Sequence, residues 1–359
     1  MSSTQYGMLP QTKESLDHIL RHYEAFKQDI HAKGLPIQPM LVGVSGCQGS
    51  GKTTLCDTLT HLLKETYHLN AINFSLDDFY LTHQEQLKLS QTYPDNPLYQ
   101  QRGQAGSHDL ELLCKTLYNV IHTNDKVAIP VYDKSMFGGA GDRSSYKYPQ
   151  GPFDIVLFEG WMLGFKSLPE HVLSNFKVNL DHVRVMNKAL RSYEQQVYPF
   201  LDIFIHLSPQ HISQVYEWRL QQEQHMKTTR GVDGLSDDAV RLFVDTYMPA
   251  YEMYLPRLNQ VGFYGKGLYG EPIEPYEGMF RQDKGYSQPG RHLKVILDQG
   301  RRVVESITLR EPIVQPKRTL LNQIMSKKSV YRMGLIGLIG FIGYRSRRSI
   351  FHLFLKFFE

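Results

Sequence analysis

Residues 40–55 read M-L-V-G-V-S-G-C-Q-G-S-G-K-T-T-L, an apolar run that breaks into glycines and then opens a helix. Gly46, Gly51, Lys52 and Thr53 fill the spacing G-x-x-x-x-G-K-[ST], with Gly49 as an extra glycine inside the loop. Glycines let backbone N–H groups turn inward around a polyphosphate, and the helix behind them points its positive dipole end at that charge. The stretch is therefore expected to bind nucleotide through Gly46, Gly49, Ser50, Gly51, Lys52, Thr53 and Thr54. Lys52 is expected to reach the β and γ phosphates, and the Thr53 hydroxyl to face Mg²⁺, an ion that keeps most of its waters and takes few protein ligands.

Outward from this loop, the pattern alternates. Positions 13–33 carry apolar residues at helical period, from Leu16 and Ile19 to Phe26 and Ile30, ahead of a strand at 40–44. The helix behind the loop continues through Leu55, Leu59 and Leu63, and a second strand at 70–76 ends at Asp77 and Asp78. A polar stretch at 82–106 reads as substrate-side loop and short helix, and a helix is expected at 108–122. A third strand is expected at 126–132, followed by the glycine loop D-K-S-M-F-G-G-A-G-D-R. Continuous apolar runs at 153–158 and 201–207 read as buried parallel strands. A helical lid region follows at about 209–230, then a long helix at 236–258 that Pro249 kinks or breaks, and a last strand at 292–297. Strands alternating with helices predict a three-layer α/β fold of the phosphate-loop NTPase kind, with a mostly parallel central sheet over 1–310.

The 359 residues are 41% hydrophobic and carry a net charge of +4. That charge is uneven: residues 317–359 hold nine Lys and Arg against one acid, leaving 31 basic and 35 acidic residues before them. The body therefore has no basic excess of the kind nucleic-acid binding requires, and no nucleic-acid partner is expected. Cys47, Cys56 and Cys114 have no paired spacing, which predicts no disulfide or zinc framework and a cytoplasmic setting. Cys47, inside the loop, reads as a small tolerated residue rather than a reactive thiol. The fifteen histidines show no metal-ligand spacing.

The acids decide what happens to the nucleotide. D-I-V-L-F-E-G, at 154–160, delivers Glu159 at the C-terminal end of an apolar strand, where parallel sheets place their ligand sites. There it is expected to organise Mg²⁺ with Thr53 or to polarise a water. Asp77, also at a strand end, suits a general base that accepts the proton of an attacking hydroxyl, with Asp78 as the other candidate or a capping acid. Tyr132, Lys134 and Arg143, on and beside the glycine loop, suit a small anionic or polyhydroxylated substrate. Arg219, beside Trp218 in the lid region, is expected to close on the transferring phosphoryl group.

These motifs together resemble the D-glycerate 3-kinase family, relatives of phosphoribulokinase, uridine kinase and bacterial pantothenate kinase. The stretches that carry the resemblance are the loop itself, S-L-D-D-F-Y-L-T, R-G-Q-A-G-S-H-D, Y-D-K-S-M-F-G-G-A-G-D-R, F-E-G-W-M-L-G-F, Y-E-W-R-L-Q-Q-E and F-V-D-T-Y-M-P-A-Y-E, in order between residues 40 and 255. The resemblance implies ATP- and Mg²⁺-dependent phosphorylation of D-glycerate to 3-phosphoglycerate. It favours Asp77 over Asp78 as base, and on its pattern Arg102, His108 and Arg143 line the acceptor pocket; Asp78, Tyr80, Tyr132 and Lys134 are the further substrate-side candidates. A kinase for another small acceptor, nucleoside or pantothenate-like, and a membrane-docked ATP-binding regulatory module are the alternatives.

After residue 310 nothing matches that family. Residues 331–344 read Y-R-M-G-L-I-G-L-I-G-F-I-G-Y between Lys327-Lys328 and R-S-R-R, and a second apolar cluster follows at 350–358. The run is shorter than the about 17 residues a spanning helix needs. The basic and apolar extension 311–359 is expected either to touch a membrane peripherally through 327–359 or to pack on protein.

Overall fold

The structure is a computed structural model that describes residues 8–230, 234–267 and 286–310. The chain opens with α1 (Pro10–Ala32), β1 (Met40–Gly46), α2 (Lys52–Glu65), β2 (Ala71–Ser75) and α3 (His83–Thr92). Next come α4 (Leu110–His122), β3 (Ile129–Asp133), β4 (Asp142–Lys147), β5 (Ile155–Gly160), α5 (Glu170–Leu173) and α6 (Leu180–Gln196). The last described elements are β6 (Ile203–Pro209), α7 (Gln214–Arg230), α8 (Asp237–Asp245), α9 (Met248–Val261), β7 (His292–Leu297) and β8 (Val303–Leu309).

The central sheet has the order β2-β5-β1-β6-β7-β8. Its first five strands are parallel, and β8 pairs antiparallel with β7. Alternate residues along each strand enter opposite cores. Leu41, Phe74, Val156, Phe158 and Phe204 pack with the apolar faces of α4, α6 and α9 on one side. Val42, Val44, Leu157, Ile205 and Val295 pack with α1 and α2 on the other. This alternation on strands that are apolar on both faces is what forces helices onto both sides of the sheet. β1 lies between β5 and β6 while the chain leaves it toward β2, so a crevice opens at its C-terminal end.

Several expectations change in detail. The strand expected at 126–132 does not join the parallel sheet. β3 instead pairs with β4 in a separate antiparallel hairpin, and β4 begins at the last two residues of the expected glycine loop and runs beyond it, where no strand is expected. The long helix expected at 236–258 is two helices, because Pro249 sits in the first turn of α9, where its missing N–H is tolerated. α6 and β8 have no counterpart in the sequence reading. β8 mixes Glu305, Ser306 and Thr308 with apolar residues and lies at the exposed edge of the sheet, so its composition carries little strand signal. The expected extension at 311–359 lies outside the described residues.

Candidate active site

The glycine loop spans the end of β1 and the start of α2. Gly49 and Gly51 have φ of +74° and +89°, a region where a side chain is strained. A Cβ on Gly49 would also lie 2.7 Å from the Trp218 carbonyl, because α7 runs directly over the loop. Ser50 N–H donates to the Cys47 carbonyl at 3.1 Å, closing a turn inside the loop. α2 then begins at Lys52 with no side-chain cap, so its first N–H groups have no partner within the helix and face an anion site. Tyr251, on α9, binds Gln48 through both its backbone N–H, at 3.2 Å, and its side-chain carbonyl. Cys47 is buried and its thiol is pushed up to about 12 by that burial, which agrees with the small-residue reading.

Glu159 ends β5 in register with Val44 of β1 and Ser75 of β2, so the three strand ends meet beside the loop. The Thr53 hydroxyl donates to Glu159 Oε1 at 3.0 Å, and Lys52 Nζ lies 3.9 Å from Oε2. Oε2 itself is buried without a hydrogen-bond partner. Burial raises the pKa of this carboxyl against the opposing pull of Lys52.

Asp77 and Asp78 sit in a 3-10 turn after β2, and their environments separate their roles. Asp78 Oδ2 accepts from Ser75 N–H at 3.0 Å and Oδ1 from Tyr132 N–H at 3.4 Å, so both oxygens serve the backbone. That is the capping acid of the two. Asp77 Oδ2 accepts from Lys134 Nζ at 2.6 Å, while its Oδ1 is buried with no partner. Burial alone would raise the Asp77 carboxyl, but Lys134 and Lys52 together outweigh it and hold it well below the usual carboxylate range. Asp77 is thus an ionised acceptor with one oxygen uncommitted.

An aromatic wall adjoins it. Tyr80 stacks on His108 with ring centroids 4.4 Å apart and meets Tyr132 edge-on at 5.4 Å. His108 Nδ1 shares a hydrogen bond of 2.7 Å with the Tyr193 hydroxyl, while Nε2 is buried without a partner. Burial lowers its pKa to about 4 against the raising effect of Asp77, so the ring is neutral. Asp109, next to it, caps α4 by accepting from Leu112 N–H at 3.0 Å.

The expected cations are placed differently from one another. Lys134 is more than half exposed and paired only with Asp77 among the contacts described. Arg102 lies over the Tyr132 ring and donates to the carbonyls of Gly139, at 2.7 Å, and Ala140. Arg143 is held between Glu85 and Asp109 at 3.0 and 3.1 Å, which makes it a tie between α3 and the start of α4. Arg219 pairs with Glu223 at 2.7 Å and lies over the Phe243 ring of α8. The loop, Lys52, Thr53, Asp77, Glu159, His108 and Lys134 are therefore brought together, whereas Arg143 and Arg219 have their guanidinium groups engaged by protein carboxylates.

Sequence reasoning missed Tyr193, Tyr247, Tyr251 and Arg301. Tyr247 and Tyr251 lie in the stretch F-V-D-T-Y-M-P-A-Y-E without a role of their own in the sequence reading, and only the fold shows that Tyr251 holds the loop and that a Cβ on Gly103 would strike the Tyr247 hydroxyl. Arg301 carries no local signal.

Over 252 residues, 68% of its length, the chain is 40% identical to the chloroplastic D-glycerate 3-kinase of Arabidopsis thaliana. That match spans 53% of the plant protein, so the chain covers about half of it. It is 42% identical over 237 residues to an uncharacterized kinase of Schizosaccharomyces pombe, covering 62% of this chain and 83% of the other. Among solved structures, D-glycerate 3-kinase from Cryptococcus neoformans matches with a TM-score of 0.69 at 33% identity, over 83% of this chain and 99% of that one. The chain belongs to the D-glycerate 3-kinase family. No family model matches it. Membership places the phosphate loop, the Asp77 turn and the Glu159 strand end of this family member within one kinase fold, and the parallel sheet is the architecture it shares with the Cryptococcus enzyme.

Proposed function

We propose that this chain is an ATP-dependent D-glycerate 3-kinase. The observation that carries the reading is Asp77: an ionised carboxylate with one free oxygen, in electrostatic contact with the phosphate-loop lysine, Lys52. In the reaction the 3-hydroxyl oxygen of D-glycerate attacks the γ-phosphorus of ATP, and the bond to the β,γ-bridging oxygen breaks. The hydroxyl proton passes to Asp77, and ADP leaves from the loop. Lys52 and the loop N–H groups stabilise charge on the phosphates, and Lys134 and Arg102 are the cations available to the acceptor carboxylate. Tyr80, Tyr132 and His108 form the wall against which the short carbon chain rests. Arg219 and Arg143 belong to this proposal only if substrate draws them from Glu223 and from Glu85 and Asp109.

The residues present fit Mg²⁺. Glu159 keeps a buried oxygen without a hydrogen-bond partner, and the Thr53 hydroxyl stands beside it. Among the described residues no cluster of three or more His, Cys, Asp or Glu could hold a metal by itself, so the ion would depend on phosphate oxygens and water for most of its ligands. When bound, the ion would neutralise charge on the β and γ phosphates.

A coupled ADP-release assay with Mg-ATP and D-glycerate, L-glycerate, uridine, pantothenate and ribulose 5-phosphate tests the reading. Turnover with D-glycerate alone is the expected result; turnover with a nucleoside or pantothenate would replace the acceptor and keep the kinase.

We also propose that residues 1–310 form the kinase body and that 327–359 make peripheral contact with anionic membranes from the cytoplasm. The supporting observation is the alternation of basic pairs with Gly- and aromatic-rich apolar runs. Among the described residues no helix is long and apolar enough to cross a membrane. Sedimentation with phosphatidylserine vesicles should be lost on deletion of 327–359; equal sedimentation of both forms would end the proposal.

A further inference from the structure

The β7–β8 hairpin turns through Asp298, Gln299, Gly300, Arg301 and Arg302. Its closure is made by Arg301 N–H to the Asp298 carbonyl and Asp298 N–H to the Arg302 carbonyl, both 2.9 Å. The Arg302 side chain adds an ion pair to Asp298 at 2.9 Å. The Arg301 side chain takes no part in this, and its backbone has φ of +60°, a region that favours glycine or asparagine. An arginine here is locally unfavourable, so a reason for its presence lies elsewhere.

Its guanidinium reaches across to the phosphate loop. Nε donates to the Gly49 carbonyl at 2.6 Å, NH1 to Gln221 Oε1 at 2.7 Å and NH2 to the Trp218 carbonyl at 3.4 Å, and the group lies over the Trp218 indole. The Trp218 indole N–H in turn donates to the Gln299 carbonyl at 2.8 Å, which closes a circuit of hairpin, α7 and loop. The Gly49–Ser50 peptide is thereby fixed from both sides, its carbonyl by Arg301 and its N–H by Cys47.

We propose that Arg301 is a positioning residue for nucleotide binding: it holds the Gly49 carbonyl outward and ties the lid helix to the loop, so that the remaining N–H groups are set for the β-phosphate before ATP arrives. The inference rests on reading residues 46–53 as the nucleotide loop. Preorganised donors need no reordering on binding, so losing the clamp lowers nucleotide affinity rather than acceptor affinity.

Arg301→Gly separates this role from a structural one, because glycine suits the turn's φ while removing the guanidinium. In the full chain, the apo melting temperature of Arg301→Gly is expected to stay within a few degrees of the parent. Its Kd for Mg-ADP, by calorimetry, should rise about tenfold, the usual effect of losing one charge-assisted hydrogen bond. KM for ATP should rise in parallel while KM for D-glycerate stays within twofold. Arg301→Lys, which keeps a cation able to reach one carbonyl, should recover part of the loss. Unchanged ADP affinity in Arg301→Gly, or equal rises in both KM values, would overturn the proposal. Failure of the parent chain to bind Mg-ADP would overturn it together with the nucleotide reading. The ADP titration decides the matter whether or not D-glycerate is the acceptor.

Discussion

Lys134 Nζ lies 2.6 Å from Asp77 Oδ2, and the other Asp77 oxygen is buried. The pair keeps the carboxylate ionised. The lysine is more than half exposed, so the pair is a surface-side ion pair whose stabilising effect is small. Its effect on proton affinity is the larger consequence.

Asp77→Asn keeps the shape of the turn and removes the acceptor for the proton. A fall in kcat of about 10² to 10⁴ is expected, with Mg-ADP affinity within threefold of the parent. Equal loss of ADP binding would move Asp77 out of the base role and into loop support.

Lys134→Met removes the main charge that lowers the Asp77 pKa. The acid limb of kcat/KM should therefore move to higher pH, because the carboxylate then protonates more readily, and KM for D-glycerate should rise. A pH profile that superimposes on the parent would show that Lys134 does not act on Asp77.

Glu159→Gln replaces the buried acid beside Thr53 by a neutral group. The Mg²⁺ concentration giving half-maximal turnover is expected to rise about 10- to 100-fold, the range typical of outer-shell partners. No change in the Mg²⁺ titration would make Glu159 an ordinary strand-end acid.

Buried histidines set the response to acid. Burial lowers the pKa of His18 and His206 to about 3 and that of His108 to about 4. In the unfolded chain these groups titrate near 6.5. Between about pH 6.5 and 4 the unfolded state therefore binds more protons than the folded one, and stability falls as pH falls. Each histidine adds a slope of up to roughly 1.4 kcal/mol per pH unit in that window. Urea midpoints should drop steeply from pH 7 to pH 5; a flat midpoint would mean that these rings are protonated in the fold.

Gly49→Ala would place a methyl against the Trp218 carbonyl on a left-handed backbone. A loss of roughly 2 to 4 kcal/mol in stability is expected, from overpacking and strain together. A stable variant with unchanged KM for ATP would show that α7 yields freely over the loop.

The linear sequence by itself picked out the candidate site residues that are contiguous or sit at strand ends. The loop at 46–53 is one turn of chain, so its glycines, lysine and threonine are legible from spacing. Asp77 and Glu159 are legible because apolar strand runs end on them, and a mostly parallel sheet follows from apolar runs alternating with helical period, though not which of the expected strands belong to it. Tertiary structure decided what depends on pairing across distance. Asp77 and Asp78 are adjacent in sequence, and only Lys134 on one and the Ser75 and Tyr132 N–H groups on the other distinguish the proposed base from the cap. The segment at 129–133 has strand composition in either sheet, and its partner β4, rich in polar residues, settles which one it joins. Arg301 lies 252 residues from Gly49, in a turn whose local preferences argue against arginine. Hydrogen bonds of that kind leave no period, composition or spacing behind them, because their geometry exists only once the sheet has brought the two distant segments together.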